Sequence, residues 1–318
     1  MGDGDFLPAN LILKLIPIIQ KHPLLTDGRA SVIDQNRATL LFQEILRSGI
    51  PFGYQQANCH NLSHYICLFI ASKGIQAAKI WAFTPAIYSV SSTKLISFTD
   101  RKKLSPTGKI DWGYHVAPVV VVRIGNRTRK MVIDPTLFPK GPVGYRAWLA
   151  KLRTKRLIHL MMDPEWYLFN SSFELRPQNP ELIDEELFKP NIALPTWFAD
   201  KLITDFFKYE EDSKTNHWME KGLAINETAS KFYDREISPI LKKPAQRQLL
   251  LDYRNLAGNV FNFETVFRDN LWNFEMNQDF QSKHQQIITK YRLVYERALV
   301  KWQKKVAEII DFEVVTFK

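Results

Sequence analysis

Residues Asp111 to Phe138 read DWGYHVAPVVVVRIGNRTRKMVIDPTLF, two β-type runs on either side of Gly125-Asn126. A Gly-Asn pair suits a two-residue hairpin turn. With the turn there, Asp134 lies opposite Ala117, and His115 is the diagonal neighbour of Asp134. Diagonal neighbours on one face are about 7 to 8 Å apart between backbones, within reach of an imidazole–carboxylate hydrogen bond. Strand alternation sends Val116, Val120, Val122 and Ile124 to the other face. That face is predicted to be core, and the His115 face, with small Ala117, to line a cleft. A buried Asp134 without a partner would cost several kcal/mol, so a histidine beside it answers a physical need.

Working outward, AAKIWAF (Ala77–Phe83) and KLISF (Lys94–Phe98) are further strand-type runs, with Ser, Thr, Gly and Pro between them. Together they predict a mostly antiparallel sheet. A helix is expected around Arg146 to Leu152, then an apolar stretch through WYLFN and FEL. On the N-terminal side, Leu11 to Gly49 shows helical spacing, closed by Pro51 and Gly53. The loop IPFGYQQANC then delivers Cys59 to a helix whose Leu62, Tyr65, Ile66, Phe69 and Ile70 form one apolar stripe, ended near Gly74. Cys59 falls in its first turn, and Asn58 is the expected N-cap. From Pro177 the texture changes to long helical segments. One, Gln286 to Ile310, carries Ile287, Tyr291, Val294, Ala298, Trp302, Val306 and Ile309 at spacings of three and four, the stripe of a packed helix. Strand character returns only in FEVVTF at the end. The fold class is therefore α+β, with a catalytic region 1–176 (helical segment 1–49, core 50–176) and a helical domain 177–318.

The chain of 318 residues is 45% hydrophobic and 13% aromatic, enough for sizeable cores. Cys59 and Cys67 are its only two cysteines. On one helix that separation is about 12 Å of rise, too long for a disulfide, which suits a reducing compartment. The opening MGDGDFLPANLILKLIPIIQK is acidic where an export signal is basic, and Lys14 interrupts its apolar run. The reading is a soluble protein without a Sec signal or transmembrane segment, cytoplasmic or delivered into a host cell by another route. Net charge is +10 and the pI about 9.4, but the basic residues are dispersed and no nucleic-acid motif accompanies them. KLRTKR (Lys151–Arg156) reads as a solvated face. No zinc pattern, phosphate-binding glycine loop, dinucleotide fingerprint or G-x-S-x-G elbow is present, so no cofactor and no metal are expected. His60 and His64, four apart on the Cys59 helix, lack further ligands and read as packed or surface residues.

A thiol at a helix start meets unpaired N–H groups and the positive end of the dipole, which favour a thiolate. A thiolate nucleophile needs a histidine to move protons, and that histidine needs an orienting carboxylate. Cys59, His115 and Asp134 are the candidates for those roles.

IPFGYQQANCHNLSH, WGYHVAPVVVV and VIDPTLFPKGPVGYRAW resemble, in order and spacing, the catalytic domain of bacterial protein-glutaminases, relatives of the transglutaminase fold. The resemblance spans roughly Ile50 to Leu152. It implies a transglutaminase/papain-like domain in which Cys59, His115 and Asp134 form the triad. It also implies a protein substrate whose glutamine side chain becomes glutamate with release of ammonia through a Cys thioester. Gln55, Gln56 and Trp112 are candidate helpers at the oxyanion. The alternatives are a transglutaminase that joins glutamine to an amine, a cysteine protease, or an inactive fold used for binding. The appended helical domain, expected to hold a partner, resembles proteins that bacteria inject into host cells.

Overall fold

The structure is a computed structural model that describes residues 30–52, 58–88, 93–100, 105, 107–152, 157–169, 206–209, 217–261 and 278–316. In chain order the elements are β1 (Val32–Asp34), α1 (Gln35–Arg47), α2 (Cys59–Ala71), β2 (Ala78–Phe83), α3 (Pro85–Tyr88), β3 (Ile96–Thr99), β4 (Lys109–Trp112) and β5 (Tyr114–Ile124). They continue with β6 (Arg127–Val132), β7 (Val143–Gly144), α4 (Tyr145–Leu152), β8 (Ile158–Met162), β9 (Trp166–Phe169), β10 (Phe206–Lys208), α5 (Trp218–Phe232), α6 (Arg247–Val260) and α7 (Gln278–Thr316).

The hairpin forms with the register its turn dictates: Ile124 pairs with Arg127, and the ladder runs to Val119 against Val132. Gly125 takes φ +59°, the left-handed region a glycine enters freely at the first turn position. The main sheet orders β7-β6-β5-β2-β8, antiparallel along this path. β1 alone runs parallel, beside Val121 to Arg123 of β5. Pro118 is tolerated in this central strand for a local reason. Its carbonyl accepts from Ile133 N–H at 2.9 Å, but its ring nitrogen, on the same edge, cannot return that bond; because the β6 ladder ends at Val119, the loss is confined to one bond at the end of the ladder.

Both faces of β5 are covered. On one, Val120 and Val122 join a large core with α1, α2, α5, α6 and α7, including Leu41, Ile70, Leu223, Leu256 and Trp302. On the other, Ala117, Val119, Ala78, Ile80 and Val132 meet Trp148 and Leu152 of α4, Ile96 of β3, and Ile110 and Trp112 of β4. The expected open cleft along the His115 face is thus closed over most of its length. Ala117 and Val119 are apolar as well, so the strand carries no polar side for water.

Several further expectations are corrected. Val32–Asp34, inside the stretch expected to be helical, is a strand whose Asp34 then caps α1 by accepting from Arg37 N–H at 2.7 Å. Residues 11–29 of that stretch lie outside the described residues. FEVVTF does not form a strand: α7 continues through Thr316 and is 39 residues long. The boundary expected at Arg176 also falls outside the described residues, and the helices beyond it share one continuous core with α1 and α2. Among the described residues no helix is long and apolar enough to cross a membrane.

Candidate active site

β6 pairs with β5 only from Val119 onward, leaving the Tyr114–Pro118 edge of β5 without a strand neighbour on that side among the described residues. The start of α2 reaches this edge. Cys59, Asn58, Leu62 and Ser63 line one pocket with His115, Val116, Asp134, Pro135 and Trp112. Cys59 is partly exposed, whereas His115 is 3% and Asp134 5% exposed.

His115 Nε2 lies 2.8 Å from Asp134 Oδ2. The same oxygen accepts from Trp148 Nε1 at 2.8 Å, and Oδ1 accepts from Leu137 N–H at 3.2 Å. Three donors thus hold one carboxylate in one orientation. The indoles of Trp112 and Trp148 lie nearly parallel to the imidazole, at 4.6 and 5.5 Å between centroids. Aromatic faces next to an imidazolium favour its charge. With Nε2 committed to Asp134, Nδ1 has no conventional hydrogen-bond partner, and the Cys59 thiol acts on the ring.

Burial alone would drive His115 toward neutrality. The charge and hydrogen bond of Asp134, joined by Cys59, outweigh it and push the ring up to about 10. Burial likewise opposes the Asp134 carboxylate, but His115, Trp148 and Leu137 hold it below its ordinary value. The pair is therefore imidazolium and carboxylate at neutral pH, each charge supported by the other.

The structure brings Cys59, His115 and Asp134 together and stacks Trp112 on the histidine. Gln55 and Gln56 lie outside the described residues. Asn58 immediately precedes α2 but makes no side-chain cap, a correction explained by a competing partner on α5. His60 and His64 are packed: His60 Nδ1 sits 3.1 Å from the Tyr114 hydroxyl, and His64 Nδ1 2.6 Å from Lys79 Nζ. No metal-holding cluster occurs among the described residues. Trp148, which fixes the far side of Asp134, went unrecognised as a site residue. Its only local signal is an indole in a short helix with one buried face.

Residues 31–152 match the family described as glutaminase. This segment belongs to the glutaminase family. All three candidate residues lie within the glutaminase segment, whereas α5, α6 and α7 lie beyond it. No curated protein matches the chain. Among solved structures, the NMR structure of protein-glutaminase from Chryseobacterium proteolyticum is 22% identical, covering 53% of this chain and 97% of its own, with a TM-score of 0.37. The crystal structure of a pro-protein-glutaminase is 18% identical over 64% of this chain and 61% of its own, with a TM-score of 0.40.

Beneath α2, Lys79 of β2 is fully buried and donates to Trp166 O at 2.6 Å as well as meeting His64. Burial outweighs the attraction of Cys67 and Glu165 and pushes it down to about 7 from 10.5. Lys79 and His115 therefore oppose each other in the pH dependence of stability. The folded His115 keeps a proton that the unfolded chain has lost, so its contribution is complete below pH 6.5 and lost as pH rises through about 10. The folded Lys79 has released a proton that the unfolded chain still holds, so stability rises between pH 7 and 10.5. Each slope is on the order of 1 kcal/mol per pH unit, and the two cancel between about pH 7 and 9. Above that, Cys67, which burial pushes up to about 11 from 9.0, adds a loss. Lys79→Met is expected to turn the flat profile into one that falls with pH. Urea unfolding of both proteins at pH 7, 8 and 9 checks this, and equal slopes would overturn it.

Proposed function

We propose that this chain is a protein-glutamine deamidase. The observation that carries the reading is the Cys59–His115–Asp134 arrangement at the open edge of β5, inside a segment of the glutaminase family. Cys59 Sγ, as the thiolate beside the His115 imidazolium, attacks the carboxamide carbon of a glutamine side chain. His115 then protonates the departing nitrogen, and ammonia leaves a thioester on Cys59. Water enters, His115 takes its proton, the hydroxide attacks the thioester carbon, and Sγ leaves as the thiolate beside the restored imidazolium while the new carboxyl group ionises to glutamate. The net change is glutamine plus water to glutamate plus ammonia. Asp134 fixes the imidazole tautomer and supports its charged form throughout. The developing oxyanion is held by first-turn N–H groups of α2, which have no intrahelical partner and which Asn58 leaves uncapped.

The test is ammonia release from a glutamine-rich protein such as casein, together with mass shifts of about one dalton at glutamine. Cys59→Ala is expected to abolish both. Release that persists in Cys59→Ala, or is absent from the wild type, would sink the reading. A labelled primary amine in the same assay distinguishes a transglutaminase, because only that activity incorporates the label.

A further inference from the structure

The helix that presents Cys59 is tied down by residues outside the glutaminase segment. Asn58 Nδ2 donates to the carbonyl of Gly222 on α5 at 2.8 Å. Asn58 Oδ1 accepts from Asn61 Nδ2, and Asn61 Oδ1 accepts from the hydroxyl of Tyr167 on β9. Asn58 is 6% exposed, and Asn61 and Tyr167 are 0% exposed. Two residues at one helix start are thus fixed by two elements, α5 and β9.

An asparagine at this position ordinarily turns its oxygen onto the N–H groups of its own helix, stabilising the start by about 1 kcal/mol. Here that oxygen is engaged by Asn61 and the amide nitrogen by α5, so Asn58 caps nothing in α2. Gly222 is what makes the exchange possible. A Cβ on it would fall onto the Asn61 amide, 2.6 Å from its Cγ and 3.0 Å from Asn58 Oδ1. A glycine inside a buried helix costs about 1 kcal/mol against alanine, and close approach of α5 to α2 is what it gives in return.

We infer that Gly222 and Tyr167 are positioning residues for Cys59: α5 and β9 hold the first turn of α2 in place and keep Asn58 from capping it, so that its N–H groups face the pocket. This rests on Cys59 being the nucleophile, and it gives the helical region a part in the site, independent of any partner it binds. Gly222→Ala drives a methyl into the Asn58–Asn61 pair. Tyr167→Phe removes one hydroxyl and leaves the ring.

The experiment follows the alkylation rate of Cys59 by iodoacetamide across pH in the full chain, read by peptide mass spectrometry, with kcat, KM and the thermal midpoint measured alongside. Both variants are expected to lower kcat by roughly tenfold to a hundredfold with KM near its wild-type value, and to change the pH profile of Cys59 alkylation. A folded Gly222→Ala protein with the wild-type alkylation profile and kcat overturns the inference. If Gly222→Ala does not fold, Tyr167→Phe decides by the same two readouts. Alkylation needs no glutamine substrate. An altered profile in a protein that releases no ammonia would therefore reject the deamidase reading and leave the positioning role standing.

Discussion

Asp134→Asn is expected to lower Cys59-dependent ammonia release by roughly 10³- to 10⁴-fold, the scale found when the orienting carboxylate of a catalytic triad becomes an amide. The geometry explains why the amide is no substitute. Oδ2 accepts from both His115 and Trp148, and Oδ1 accepts from Leu137 N–H, so every partner is a donor. An amide has one acceptor oxygen and two N–H donors. With its oxygen toward His115 and Trp148, its NH₂ opposes Leu137 N–H. Flipped, its NH₂ opposes the imidazole and the indole. Either way a buried donor goes unpaired, at about 1 to 3 kcal/mol. The imidazolium also loses the charge that lifted it to about 10, and burial then drives the ring toward neutrality. The variant should therefore combine a large loss of kcat with a downward shift of the ionisation that governs the rate, measured as kcat against pH. A loss below about tenfold, with the pH profile unmoved, would remove Asp134 from the mechanism.

How much of this site could be read in advance follows from the range of the forces involved. The register of β5 and β6 was legible because a two-residue turn and a period of two leave almost no freedom, and His115 with Asp134 follows from that register. The placement of Cys59 at a helix start was legible from the apolar stripe and the Pro/Gly-containing loop before it. What closes the site was not. Trp148 reaches Asp134 from a helix that begins 11 residues later, and nothing local marks its indole for that carboxylate. The tie from Asn58 to Gly222 joins positions 164 residues apart, and a propensity argument assigns Asn58 to capping its own helix instead. β1 is three residues with only its middle position partly buried, too little pattern to read. FEVVTF has the composition of a strand but continues a long helix, where an established ladder of hydrogen bonds overrides local β preference.

Trp302→Ala is expected to cost about 3 to 5 kcal/mol, the usual result of emptying a large buried aromatic site. Trp302 sits on α7 with 0% exposure and touches both α2 and α5. Its ring meets Tyr65 of α2 edge-on at 5.3 Å, and its Nε1 donates to Glu227 Oε2 on α5 at 3.0 Å. Lys301 and Lys305 place their ammonium groups 4.8 and 5.1 Å from the ring centre. Glu227 keeps Lys231 and Lys301, each at 2.7 Å, so the variant strands no carboxylate and the loss is mainly one of packing. Because Tyr65 lies on the helix that begins at Cys59, the cavity opens against the helix that carries the proposed nucleophile. In a chain with one continuous core, the far-UV signal, Cys59 accessibility and ammonia release should all be lost at one lowered urea midpoint with an unchanged m-value. In a chain with two independent cores, the helical part would unfold first while Cys59 stayed protected and active. Urea titrations of the wild type and the variant, followed by all three signals, separate the cases. Non-coincident midpoints, or a cost under about 1 kcal/mol, would reject the shared core.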